Sequence, residues 1–414
     1  MASQSDEQSF MDWFIRYRSP SEISKLHPDY LRMELSCFVC TILTFIHAQR
    51  IGGRFKFLWI AVILHGLFVE AVSYWMPDID SFWHAQGIFM FIGQRLPLYI
   101  ICIYAVFIYT ASVAVGHSGM RWWAQPFAVG LTVVMLDLPY DILGIKNLFW
   151  TWHDTDPNIY DRHYWVPWTS YYFHATFACS FTAVFHGSHK LLAPSKETYQ
   201  YAGFMRETVC CLLAAMFGFP LGVIQFVFIY HPLHDTFGIH TEVCVMLLVV
   251  VYGSIIWMGD RNVDRSHAHH SKRWFLDEIM TEVILHYTFF IYLVFTSKPE
   301  NNIVTGLHEP IGPCNETEPV QTPFKHVLSK RKYLCLNDYD EKVYDFHCVN
   351  ELPEHGSRWY TICGTPYENH MEYIVIVCGV CFLGLVWCFN LLLSGPLAGK
   401  PHTKQHHIIR DKQE

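Results

Sequence analysis

The chain has 414 residues, of which 52 % are hydrophobic, 16 % aromatic and only 16 % charged, with a formal net charge of −8. Soluble domains carry about a quarter charged residues, so this balance leans towards a membrane protein, with a soluble all-α protein of buried helices as the alternative. No basic stripe, Walker sequence, Gly-x-Gly-x-x-Gly run or Ser-His-Asp signature is present, which removes nucleic-acid, nucleotide and serine-hydrolase readings.

The N-terminal segment, residues 1–30, begins MASQSDEQS and lacks the basic region and apolar core of a cleavable signal. Within it, Ser9–Arg18 (SFMDWFIRYR) mixes rings and charges as an interfacial helix does, the alternative being an ordinary disordered start. Apolar blocks near bilayer length, about twenty residues each, follow. They are Leu31–His47, Phe57–Met76, Ile88–Val115, Trp122–Leu143, Pro167–His186, Phe204–Tyr230, Thr241–Met258, Asp277–Phe295 and Glu372–Leu393. The blocks predict an all-α polytopic membrane protein. Eight spans lie in residues 31–295, a long loop in 296–371, a ninth span in 372–395 and a polar tail in 396–414.

Lys and Arg collect on alternate connections: Arg50, Arg54 and Lys56; Arg121; Lys190 and Lys196; Arg261, Arg265, Lys272 and Arg273; then Lys400, Lys404, Arg410 and Lys412 in the tail. The opposite short loops hold Asp78, Asp80, Asp154, Asp156, Asp161 and Asp235. The positive-inside rule then places the tail in the cytosol and the N-terminus outside, in the endoplasmic reticulum or plasma membrane. The long loop falls outside. It carries Cys314, Cys335, Cys348 and Cys363, which predict two disulfides in any of three pairings. It also carries the sequon Asn315-Glu316-Thr317, expected to be glycosylated. The other ten cysteines lie in spans, where they are read as packing.

An internal echo links the second and fourth spans. An offset of 67 superposes Glu70 on Asp137 and Phe82-Trp83 on Phe149-Trp150, and each half re-enters the membrane near a proline, Pro97 or Pro167. Charges inside a bilayer cost about 2.5–3.5 kcal/mol each at a helix centre. Glu70, Arg95, Asp137, Asp141, His174 and Glu242 nevertheless fall at one depth, in the outer third of their spans. Asp137 and Asp141 are i,i+4 and share a helix face. The pattern predicts one outward-open polar cavity, with the aromatic stretch FWTWHDTDPNIYDRHYWVPW over its mouth, above all Trp150, Trp152, His153 and Trp165. The alternative is a set of helix-bridging pairs, such as Arg95 with Glu70 or Asp137. His65 and His286, mid-span, are expected to be packed and hydrogen-bonded to neighbouring helices.

No resident metal is expected and no cofactor is identified. His231, His234 and His240 form the weaker alternative of a zinc site. The inner clusters His186-Gly187-Ser188-His189 and His267-Ala268-His269-His270 fall short of a three-box di-iron set.

The series Glu70, Arg95-Leu96-Pro97-Leu98, Asp137-Leu138-Pro139, Trp150-Thr151-Trp152 and Trp165-Val166-Pro167-Trp168 resembles carotenoid-biosynthesis membrane proteins of the hydratase and cyclase type. The similarity covers Phe57–His186, and it implies acid-assisted chemistry on a polyene or isoprenoid. The additional spans, cysteine-bearing loop and sequon depart from that pattern and suggest an animal-like secretory-pathway protein. The functional expectation is a membrane enzyme on a lipid-like substrate. Glu70, Asp137 and Asp141 would exchange protons, His174 would relay them and Arg95 would keep one carboxylate ionised. A proton-coupled carrier of a small molecule is the alternative, and a receptor or scaffold subunit a further one. Membrane lipids are the expected partners.

Overall fold

The computed structural model describes residues 10–76, 79, 81–261, 276–339 and 341–396. Asp78, Asp80, Arg265, Lys272, Arg273, the histidines from His267 to His270, and the basic residues of the tail lie outside the described residues. Nine long helices carry the described chain: α1 (Pro28–Ile51), α2 (Arg54–Trp75), α3 (Leu98–Gly116), α4 (Gln125–Lys146), α5 (Trp168–Leu192), α6 (Phe204–Phe228), α7 (Thr241–Asp260), α8 (Glu278–Thr296) and α9 (His370–Leu393).

All except α5 are long and apolar enough to cross a membrane, eight in number. α5 has the length, at 25 residues, but its Ser, Thr and His content dilutes its apolar character. The bundle is also apolar on its outside. Val250 and Trp257 on α7 and Val375, Phe382 and Leu383 on α9 are exposed, a surface that water would penalise and hydrocarbon accepts. This is a helical, multi-span integral membrane protein.

Lipid gives little hydrophobic drive for one helix to seek another, so close packing and interhelical hydrogen bonds must hold the bundle. α5 packs on α4 and α6, α6 on α2, and α8 on α1 and α9. Gln225 of α6 knits three helices, donating to Ser180 Oγ at 2.7 Å and accepting from Tyr252 of α7 at 2.5 Å. Pro139 within α4 has no N–H to give to the Met135 carbonyl four residues earlier. Tyr287 of α8 supplies that donor at 2.9 Å, and His286 Nε2 meets the next carbonyl, Leu136, at 2.9 Å. His65 reaches the Ala215 carbonyl at 3.3 Å, so both mid-span histidines are packed against a neighbouring helix as expected.

Arg54, grouped by sequence with the loop cations, is instead fully buried. It donates to Glu207 at 2.9 Å and to the Phe185 carbonyl at 2.7 Å. A buried charge requires such partners, and Glu207 on α6 and the Phe185 carbonyl on α5 provide them across the bundle.

The third span begins ten residues later than its apolar run suggests. Residues from Ile88 onward form a hairpin, β3 (Phe89–Phe91) with β4 (Leu96–Pro97), turned by left-handed residues Ile92, Gly93 and Gln94. On it lies β1 (Ile15–Tyr17), antiparallel to β3. The described part of the Ser9–Arg18 stretch is a single helical turn at residues 10–14 followed by this strand, and a short helix, Pro20–Leu26, leads into α1. The stretch still exposes Phe10, Trp13, Phe14 and Tyr17.

The echo has a structural counterpart. Each half runs helix, strand, hairpin, proline, helix. Pro97 and Pro167 both precede a span with extended backbone, at φ −75° and −60°. In the second half the hairpin is β6 (Arg162–His163) with β7 (Val166–Pro167). The leading strands pair with each other: β2 (Phe82–His84) lies antiparallel to β5 (Trp150–Trp152), with Phe82 opposite Trp152 and His84 opposite Trp150.

The long loop folds as a small β cap. β8 (Ile303–Leu307), β12 (Trp359–Gly364) and β11 (Tyr344–Asp345) form one sheet, and β9 (Thr317–Gln321) with β10 (Val327–Arg331) a hairpin. Two disulfides fasten it, Cys314–Cys335 and Cys348–Cys363.

Candidate functional site

A cavity of about 350 Å³ lies between α2, α3, α4, α5 and α6, roofed by the β2–β5 ribbon. Glu70, Asp141, His174, Trp150 and Trp152 line it. So do residues that the sequence reading did not single out for a site, among them His84, Tyr104, Tyr140 and Asp156.

Glu70 is placed by a small residue one turn earlier. A Cβ at Gly66 would come within 2.6 Å of the Tyr104 ring, so only glycine lets that ring lie against α2. The Tyr104 hydroxyl then donates to Glu70 at 2.9 Å. Tyr104 stands where α3 changes to a π-helical stretch, Ala105–Tyr109, a local widening that often marks a functional position in a helix. The opposite wall repeats the device. A Cβ at Gly144 would lie 2.4 Å from the Trp150 ring. Glycine there lets Trp150 fold back and stack on Tyr140, with ring centres 4.8 Å apart.

Two i,i+4 pairs face each other across α4 and α5, Asp137 and Asp141 against Ser170 and His174. The helices run antiparallel, so Asp141 meets Ser170, which donates to it at 2.6 Å, and Asp137 meets His174, with Nε2 at 3.3 Å. Asp137 is fully buried behind the cavity wall, and neither of its oxygens is in hydrogen-bond geometry. The His174 side chain is 22 % exposed, toward the cavity. Ligating atoms of Asp137, Asp141 and His174 all lie within 4.8 Å of one another. Such a trio can pass a proton or hold a cation.

Near the ribbon, both ring nitrogens of His84 are buried without a partner. Burial, and then the charge of Arg95, push its pKa down to about 3, so His84 is neutral. Arg95 lies before α3 rather than inside it, with its guanidinium 5.7 Å from the Tyr74 ring centre. It is not part of the cavity wall. Glu242, at the start of α7, is exposed and stands apart.

Two of the four residues expected at the mouth lie elsewhere. Trp165, left-handed at φ 67° in the β6–β7 turn, sits beside Lys342, whose Nζ is 6.0 Å from its ring centre. His153 points into the cap. Its Nε2 is 2.6 Å from Glu309, and its Nδ1 is 3.8 Å from Asp154. Three other polar residues of that stretch do the same: Asp156 meets Lys330 at 3.4 Å, the Thr155 hydroxyl accepts from the Arg331 amide at 2.8 Å, and Arg162 pairs with Glu341. Much of the acid- and base-rich loop is the socket into which the β cap docks, while Trp150, Trp152, Asp156, Asn158 and Ile159 of the same stretch also reach the cavity.

The weaker zinc alternative does not assemble. His231 and His234 both turn to Asp235, at 2.7 Å each, while His240 Nε2 lies 3.3 Å from Asp161. Asn315 is exposed on the cap.

Neither curated proteins nor solved structures include a match to this chain. One family model does match, over residues 6–393, and so takes in every helix and the cap described above. The chain belongs to that family, DUF7802, a domain of unknown function.

Proposed function

We propose that this protein is a membrane enzyme that performs acid–base chemistry on a lipid-like substrate held in the cavity between α2, α3, α4, α5 and α6. The observation that carries this reading is the make-up of the wall. It is mostly aliphatic and aromatic, with Glu70 and Asp141 facing the space and His174 between Asp141 and Asp137. Among the described residues lining it, none is Lys or Arg. A mainly apolar pocket with a few convergent polar groups is the usual form of a small-molecule site, and one without cations rejects phosphate and other anions. The substrate is therefore an uncharged lipid or isoprenoid. Glu70, which accepts from Tyr104, exchanges protons with it, while Asp141, oriented by Ser170, and His174 form the polar patch that faces it and leads back to Asp137.

The carrier alternative draws on the same buried carboxylates. It also needs helices broken at mid-membrane, and among the described residues no two half-helices meet there. The enzyme reading is preferred for that reason.

The orientation follows the charge bias: nine spans with α5 included, N-terminus outside, tail cytosolic, and Asn315 glycosylated in a secretory-pathway membrane. An endoglycosidase shift lost in Asn315→Gln, with the tail cleaved by protease added to sealed microsomes, is the expected result.

The functional test is lipid extraction and mass spectrometry of protein purified from its own membrane. An uncharged lipid retained by the native chain and lost on filling the cavity with Ala178→Phe supports the proposal. An empty native protein, or equal retention by the filled variant, rejects it.

A further inference from the structure

Asp137 is the residue the acid–base reading explains least. It is absent from the cavity surface, is fully buried, and no N–H or neutral hydroxyl donates to either oxygen in hydrogen-bond geometry, its polar neighbours being the Asp141 carboxyl one turn away and His174 Nε2 at 3.3 Å. Two carboxylates so close inside a bilayer repel each other and pay desolvation twice. A cationic ligand in the cavity would reach Asp141 but not Asp137. Either the pair keeps a proton between its carboxyls or a cation sits inside the wall, where both carboxylates and the His174 ring converge.

We infer that Asp137, Asp141 and His174 bind a divalent transition-metal ion, of the zinc class, with its open position facing the cavity. The donor set is one imidazole nitrogen and two carboxylate oxygens, with ligating atoms within 4.8 Å of one another. That mixture suits zinc or manganese better than the all-oxygen preference of calcium and magnesium. Ligands on facing helices of a bundle, two from an i,i+4 pair on one and one from its neighbour, are a recurrent way to build such a centre. Ser170 supplies the outer support, fixing the Asp141 carboxylate by its 2.6 Å hydrogen bond. Three protein ligands and an accessible fourth position describe a catalytic rather than a structural site.

The ion also narrows the substrate, and this part rests on the reading of the cavity as a lipid site. A metal's open position needs a lone pair, which a hydrocarbon polyene lacks and an ester or amide carbonyl offers. The reaction class is then hydrolysis of an uncharged acyl lipid. Water on the ion would lose a proton, the hydroxide would add to the carbonyl carbon, and the bond to the ester oxygen or amide nitrogen would break as that atom takes the proton; Glu70, the other carboxylate on the cavity surface, is the group available to hold the proton in between.

The test is metal analysis of the full-length chain purified in detergent without chelator. The expected result is a stoichiometric equivalent of zinc per chain. Asp137→Asn and His174→Ala lose it, while Glu70→Gln and His153→Ala keep it. A second measurement does not depend on those variants folding. Chelator-stripped native protein titrated with Co²⁺ should develop the visible bands of a low-coordinate cobalt site, and Zn²⁺ should abolish them. Native protein with no transition metal and no cobalt bands overturns the inference and leaves the trio sharing a proton. Metal that survives both Asp137→Asn and His174→Ala, or that is lost only in His153→Ala, also overturns it by placing the ion elsewhere. Retained lipid without metal defeats this inference alone, and metal without retained lipid defeats the cavity reading alone.

Discussion

Asp137, Asp141 and His174 in the bundle, and His153, Asp154 and Glu309 in the cap, are chemically matched trios. In each, one histidine and two carboxylates bring ligating atoms within 4.8 Å. Their surroundings differ. The bundle trio is held by two adjacent helices and touches a cavity through Asp141 and His174. The cap trio joins two loops, is buried on every side, and has its imidazole closed onto Glu309 at 2.6 Å. Residue type therefore does not decide between chemistry and architecture. Access does: a cluster that faces a space can act on something, whereas a sealed one can only hold pieces together.

The sharpest way to break the comparison is to remove one partner from each trio. Glu309→Ala leaves His153 buried beside Asp154 alone, and breaking a buried pair costs about 3–5 kcal/mol. The expected outcome is a large fall in the cap's thermal stability and faster proteolysis within residues 303–364, with retention of cavity lipid unchanged. Equal loss of lipid would show that the two trios are not independent. Removing the Cys348–Cys363 bridge by paired Ser substitutions acts on the same unit. A loop of this size is worth about 3 kcal/mol, again read as cap proteolysis with the spans intact. Asp137→Asn should do the reverse. It preserves shape and removes a buried charge, so its stability change stays within about 1–2 kcal/mol. Turnover, once a substrate is found, should fall by about 10²-fold or more. A variant that unfolds early, with turnover per folded molecule unchanged, would make the bundle trio architectural as well.

Much of the membrane architecture was legible because its signal is local. Twenty apolar residues need no partner to be recognised, and a charge within them stands out, which is how Glu70, Asp141 and His174 came to be grouped. The hairpin before α3 was not legible, since Phe89–Phe91 and Leu96–Pro97 are as apolar as the helix they precede and periodicity cannot separate short apolar runs. β1 was hidden for a related reason: Ile15–Tyr17 becomes a strand only because β3 offers an edge. Glu34 is fully buried near the start of α1 and accepts from the Ile88 amide at 3.1 Å, a role the sequence does not signal because a carboxylate near a helix end looks like an ordinary interfacial charge. The role of His153 depends on Glu309, in a different loop, and no spacing rule connects them. The echo between the halves, by contrast, was visible in a few residues and corresponds to the strands that pair over the cavity.

The smallest expected effect separates the trios by pH, using groups that lie outside the membrane. Burial pushes Glu309 up to about 7, against the pull of His153. Burial alone would lower the His153 pKa, but the hydrogen bond and charge of Glu309 outweigh it and the net direction is upward. Asp154 adds to that rise, Lys330 opposes it, and Glu341 further raises Glu309. Both shifts have one sign: the folded pair keeps its proton to higher pH than the unfolded chain does. Folding then takes up protons, and stability must decrease as pH rises. The cap contact is complete below the ordinary carboxylate and imidazole values and weakens as pH passes through about 7. The decline should be on the order of 1 kcal/mol per pH unit across that window. Cap proteolysis measured between mildly acidic and mildly alkaline buffer should accelerate on the alkaline side, and Glu309→Gln should flatten the profile. A native profile that is flat, or that slows with rising pH, would mean that His153 and Glu309 share no proton and that the cap is held by Lys330 and Arg162 instead.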